Sequence, residues 1–220
     1  PMANYDPTRT HLNFEVARGG VIKPIDKSKT IMQMMADNLE KRGIKDPNSR
    51  ENVRRRQNTL AQFIFGGSRE QMNRLAFGSQ TLNLDKGADN SHLTRNQNIE
   101  KWAKDVYSFV SHRFGEENIV SFYVHLDETN VHAHCTIIPI DNEKNRISWR
   151  SVFGQNSYEM GRTFSRLHDE FSKEVGRRWG LERGDSIRET GARHRSTYEY
   201  KRELVNVVNP LENKKKSMEH

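Results

Sequence analysis

Two runs rich in branched and aromatic residues, Ile119–His125 and residues 131–140, are joined by a short turn, Asp127-Glu128-Thr129-Asn130. Runs joined in this way pair antiparallel, so this stretch is committed to a β-hairpin. Side chains alternate along a strand, which places His132 and His134 on one face, about 6 to 7 Å apart in Cα position. His125 closes the first strand. A residue leaving that strand lies across from one entering the second, so three imidazoles converge if the register allows. Neutral imidazoles suit Zn, Mn, Fe, Co or Ni. Three of them leave positions open for water or a phosphate oxygen, which is the layout of a catalytic rather than a structural metal site. Asp127 or Glu128 is close enough in sequence to orient a histidine or to join the ligands. Incidental surface histidines would not be expected to number three within ten residues with two at strand spacing.

Polar and apolar residues alternate over residues 11–17, and Gly19-Gly20 follows; this predicts a strand with His11, Asn13 and Glu15 on one face. Ile31, Met34, Met35 and Leu39 recur at helical spacing within residues 27–43, with Gly43 as the stop. Residues 59–65 predict a strand, and Ser68 with Gln71 three residues on is a capping-box start for a helix to about Phe77. Ile99, Trp102, Val106, Phe109 and Val110 mark a helix closed by Gly115, and Asn156 or Ser157 caps a long helix carrying Met160, Phe164, Leu167, Phe171 and Val175.

A length of 220 residues suits one sizeable domain. The expected division is a catalytic domain over 1–184 and a basic extension over 185–220, helical or partly disordered and ending in Lys214-Lys215-Lys216. Pro1 before Met2 and the closing Met218-Glu219-His220 resemble additions at the two ends, so a fragment is expected. The net charge of +7 favours a polyanionic partner, nucleic acid above all. Mean hydropathy is −0.94, no stretch is apolar enough to span a bilayer and no signal peptide is evident, so a cytoplasmic protein without membrane contact is expected. Cys135, the single cysteine, sits in an apolar run and is expected to be an inert small hydrophobe.

The block Tyr5-Asp6-Pro7-Thr8-Arg9-Thr10-His11-Leu12-Asn13-Phe14-Glu15, with Val124-His125-Leu126-Asp127-Glu128 and His132-Ala133-His134, resembles the plasmid mobilization relaxases of the MobV type, the Mob/Pre plasmid recombination enzymes. His132-Ala133-His134 is similar to the histidine-hydrophobe-histidine signature of the wider HUH endonuclease class, and the resemblance runs from about Asn4 to Gly184. It implies an α+β fold with a central antiparallel sheet of about five strands and helices packed on one side. It also implies that His125, His132 and His134 bind a divalent ion, Mn or Mg before Zn, Co or Ni, with Glu128 close by. The implied substrate is single-stranded or hairpin origin-of-transfer DNA, with proteins of the transfer apparatus as further partners.

The implied reaction is site-specific nicking and rejoining. A side chain attacks the scissile phosphate in line, and a covalent 5′-phosphoryl protein with a free 3′-hydroxyl conserves the bond for resealing. In that family the attacking histidine or tyrosine stands in a motif upstream of the block that begins here at Tyr5. Either the attacking group lies before the present sequence, or Tyr5 or His11 takes its place; for His11 a supporting role beside Asn13 is the preferred expectation. Arg9, Arg54, Arg55, Arg56, Arg146, Arg150, Arg177 and Arg178 are candidate phosphate contacts. Trp149, between Arg146 and Arg150, is the candidate for stacking on bases, whereas Trp102 lies on an apolar helical stripe and is expected in the core. A metal-dependent nuclease without a covalent intermediate, and an inactive DNA-binding fragment, are the competing classes.

Overall fold

The computed structural model describes residues 5–50, 54–85, 87–185 and 190–191. By internal contacts the chain falls into two units, Pro1–Arg183 and Gly184–His220. The expected tail over 185–220 lies almost wholly outside the described residues.

Strands β1 (Phe14–Ala17), β2 (Val21–Lys23), β3 (Ala61–Phe65), β4 (Ile119–His125) and β5 (His132–Ile137) form one antiparallel sheet in the order β2-β1-β4-β5-β3. The hairpin β4-β5 is therefore central, with β1 and β3 on its flanks. Its register sets His125 opposite His132 and Tyr123 opposite His134. Alternation then divides the side chains. Phe122, Val124, Ala133, Cys135 and Ile137 turn to one face, where each is at most 1% exposed, and Tyr123 and the three histidines take the other.

The apolar face is covered by α2 (Arg69–Phe77), α3 (Gln97–Phe114), α4 (Trp149–Phe153) and α5 (Ser157–Glu174). α3 supplies Ile99, Trp102, Ala103, Val106 and Val110, all fully buried, as its spacing requires. Phe63 and Phe65 of β3 reach into an aromatic cluster with Phe114, Phe153 and Phe171, at ring separations of 5.0 to 6.2 Å. Cys135 is fully enclosed, and burial pushes its thiol far above the usual range, which leaves it inert.

α1 (Ile31–Arg42) touches the opposite face, where the Tyr123 hydroxyl donates to the Met34 sulfur at 3.8 Å. Thr30 and Gln33 close a reciprocal capping box at its start, and Gly43, at φ 64°, ends it in a left-handed conformation that a side chain would disfavour. Met35 and Leu39 join a second, smaller core with Ile44, Ile138, Ile140 and Ile147. Among the described residues no helix is long and apolar enough to cross a membrane.

Three local expectations need correction. Residues 11–17 are not one strand: Pro7–Leu12 forms a 3₁₀ helix, started by Pro7 and capped by the Asp6 carboxylate, and the strand begins only at Phe14. The second hairpin strand stops at Ile137, because Pro139 has no N–H to give; Ile140–Asp141 (β6) instead pairs with Arg146–Ile147 (β7). The expected capping box of α2 is half formed. Ser68 accepts from the Gln71 N–H at 3.4 Å, but the Gln71 amide donates to the Trp179 carbonyl at 2.7 Å.

Candidate metal centre

His125 leaves β4 as His132 enters β5, and His134 follows two residues later on the same face. The His132 and His134 ring centroids are 4.6 Å apart, and that of His125 lies 5.6 and 5.3 Å from them. His132 Nδ1–H donates to the Asn130 carbonyl at 2.8 Å, which leaves its Nε2 lone pair facing His134 Nε2, also at 2.8 Å. The other nitrogen of His134, Nδ1, is buried and has no hydrogen-bond partner, so Nε2 is the only working polar atom of that ring.

Burial, reinforced by His132 and His125, lowers the His134 pKa to about 4. Burial also lowers that of His125, against the pull of Glu128. Both rings are therefore neutral near pH 7, the form in which imidazole is a ligand. Among the described residues no group of three or more His, Cys, Asp or Glu side chains is arranged so that it could hold a metal ion. His132 and His134 meet through their Nε2 atoms, and the His125 ring lies beside the pair. The His132 and His134 nitrogens directed at each other, with the His125 ring beside them, are of the donor type that divalent transition ions take.

Carboxylates flank the third ring. His125 Nδ1 lies 4.0 Å from Asp127 Oδ1 and 4.0 Å from Glu128 Oε1, with Asp127 buried and Glu128 partly exposed. The chain N-terminal to the 3₁₀ helix runs beside this loop: Tyr5 bridges to Glu128, and the Asp6 N–H donates to the Asp127 carbonyl at 2.6 Å. A cavity of about 590 Å³ opens here, lined by Tyr5, Asn13, Lys27, Lys29, His125 and Glu128 among others. Asn13 is fixed within it by accepting the Leu126 N–H on Oδ1 at 2.7 Å.

The sequence-derived candidates thus divide. Tyr5, Asn13, His125 and Glu128 line one cavity, while His132 and His134 pair with each other beside the His125 ring; His11, exposed on the 3₁₀ helix, does not line the cavity. Arg9 is 2% exposed and bound to carbonyls of the 126–128 loop, so it is no surface phosphate contact. Trp149, partly buried, packs 4.6 Å from Phe153 and donates to the Met160 sulfur at 3.4 Å. Arg54, Arg55, Arg56, Arg146, Arg150 and Arg177 are exposed, as is Arg178, which pairs with Asp105 at 2.9 Å. Lys27 and Lys29 do not stand out in the sequence, because nothing in the run before a helix distinguishes a lysine facing a site from one facing water.

Residues 84–202, which contain all three histidines, match the family model described as plasmid recombination enzyme (Mob_Pre). The chain belongs to this plasmid recombination enzyme family. It is 32% identical over 110 residues to plasmid recombination enzyme type 1 of Staphylococcus aureus, covering 50% of this chain and 26% of that protein. To a type 3 enzyme of Mammaliicoccus lentus it is 29% identical over 114 residues, covering 51% and 25%. The match thus spans about a quarter of the length of these relatives.

The fold is shared with the MobM relaxase domain. In a Mn-bound crystal structure with plasmid pMV158 oriT DNA, that domain aligns at a TM-score of 0.61 and 18% identity, over 91% of this chain and 83% of the other. A second MobM structure, with 26-nucleotide oriT DNA, aligns at 0.53 and 17%, over 88% and 89%.

Proposed function

We propose that residues 1–184 are the nicking domain of a plasmid mobilization relaxase, with 185–220 a basic extension. In this reading the domain binds origin-of-transfer DNA and performs metal-dependent, site-specific cutting and rejoining of one strand, in the cytoplasm. The carrying observation is the clustering of three imidazoles on neighbouring strands, one of which, His125, lines a cavity with Tyr5, two lysines and three carboxylates. The Mn and oriT DNA held by the MobM structures support the same reading.

His132 and His134, joined by His125, would hold the divalent ion, Mn or Mg. When bound it draws charge from a non-bridging phosphate oxygen and lowers the cost of the pentavalent state. Lys27, on the cavity wall, offsets the charge of a neighbouring phosphate, whereas Lys29 on the same wall is paired with Asp37. Asn13 and Glu128 shape the wall beside His125.

Tyr5, 53% exposed and lining the same cavity, is the attacking group that this chain itself offers. Its oxygen forms the bond to phosphorus as the bond to the 3′-oxygen breaks. Its proton passes to Glu128, which returns that proton to the departing 3′-oxygen, so a 3′-hydroxyl is released and Glu128 ends as a carboxylate. Reversal by a 3′-hydroxyl reseals the strand without ATP.

The test is a labelled single-stranded oligonucleotide of the cognate origin, incubated with protein and Mn and run on a denaturing gel. A DNA-linked protein band that Tyr5→Phe abolishes supports the reading with Tyr5 as attacker. A band formed only when upstream residues are added to the chain assigns the attack there. Cut DNA that never becomes linked to protein makes the chain a simple nuclease and overturns the relaxase reading.

A further inference from the structure

A cation buried to 2% exposure is costly unless its donors are taken up, and Arg9 spends its donors on one loop. Nη1 donates to the Leu126 carbonyl, and Nη2 lies 3.4 Å from the carbonyls of both Asp127 and Glu128. Nε donates to Asp6 Oδ2 at 2.9 Å, and the guanidinium lies 5.7 Å from the centre of the Phe77 ring. Asp6 is held in turn by the Thr8 N–H at 2.9 Å, the Thr8 hydroxyl at 2.6 Å and the Asn90 amide at 2.8 Å. The carbonyls that Arg9 clamps are those of three successive residues immediately after His125, in the loop that leads to His132.

We infer that Arg9 is a positioning residue: by holding the 126–128 carbonyls it fixes His125 and Glu128 against the His132–His134 pair. The inference rests on the metal reading of those histidines. A planar guanidinium reaches several carbonyls at once; a lysine ammonium carries the charge but not the fork. Arg9→Lys therefore keeps the buried charge and loses the span. Partners that orient metal ligands are worth on the order of tenfold to a hundredfold in affinity or activity.

Two measurements on the full chain test this. Calorimetric titration with Mn should show Arg9→Lys binding on the order of tenfold more weakly. Nicking of the origin oligonucleotide should show a lower kcat with KM unmoved. Arg42→Lys is the control for mere stability, because Arg42 also holds a backbone carbonyl, that of Glu117, at 3.2 Å, just before the start of β4 and so at the strand end opposite His125; it should leave Mn affinity unchanged. Should Arg9→Lys fail to fold, Asp6→Asn loosens the same guanidinium and should weaken Mn binding in the same direction.

Parent-like Mn affinity in a folded Arg9→Lys or Asp6→Asn protein overturns the inference. A parent chain that binds no Mn overturns the metal reading instead. Hydrogen exchange then still decides the positioning: amides 126–130 should lose protection in Arg9→Lys while those of β5 keep theirs, and equal protection overturns it.

Discussion

Asp6 shows how much a single side chain contributes at this site. Burial raises its pKa, but hydrogen bonds from Thr8, Asn90 and Arg9 outweigh that and bring it down to about 2. A carboxylate whose folded pKa lies below its unfolded one stabilises the fold at any pH above the ordinary carboxylate value. That contribution is lost as pH falls from about 4 to about 2. Asp6→Asn should therefore cost about 2 kcal/mol near neutral pH, with the gap to the parent closing below about pH 4; denaturant titrations at several pH values measure it. A constant gap across that range would contradict the account. The three histidines were legible because strand alternation is a rule of geometry, and the observed register pairs His125 with His132 as that rule allows. Arg9 was not, since a sequence names a cation without saying whether its donors meet phosphate or carbonyl oxygens.

Among the elements, those with strong local signals were read best. β4 spans Ile119–His125 as expected, and α3 ends against Gly115. Start and stop residues settle such boundaries within the element itself. Asn156 illustrates this: its side chain accepts the Glu159 N–H at 3.0 Å and opens α5, whose Met160, Phe164 and Phe171 pack against the main core. Asn156→Ala should lower unfolding free energy by about 1 kcal/mol, read from urea denaturation, without altering Mn binding. Elements decided by long-range contacts were missed. β2 is three residues long and exists through its pairing with β1, and the break at residues 11–13 depends on an Asp6 cap that alternation does not register. The packing of Trp149 on Phe153 is illegible for the same reason, since flanking arginines say nothing of the ring beside it.

At the scale of the molecule, the sheet separates an apolar face covered by four helices from a polar face that carries the histidines, and the net charge is +7. Binding of single-stranded origin DNA should weaken as salt rises, because phosphate neutralisation releases counterions. Replacing Arg54, Arg55 and Arg56 together by Gln should flatten the plot of log affinity against log salt by roughly 0.7 for each phosphate left without its arginine. An unchanged slope would remove that loop from the DNA interface. The sheet order and the helical layer agree with the family resemblance drawn from the Tyr5 to Glu15 block and the histidines. The central claim is that the histidine face binds a divalent ion, and Mn titration of the chain beside His134→Ala, followed by calorimetry or electron paramagnetic resonance, tests it most directly. One Mn site in the parent, abolished in a variant that keeps its circular dichroism spectrum, is the expected result; a parent that takes up no Mn, or a variant that binds it equally well, would contradict the account.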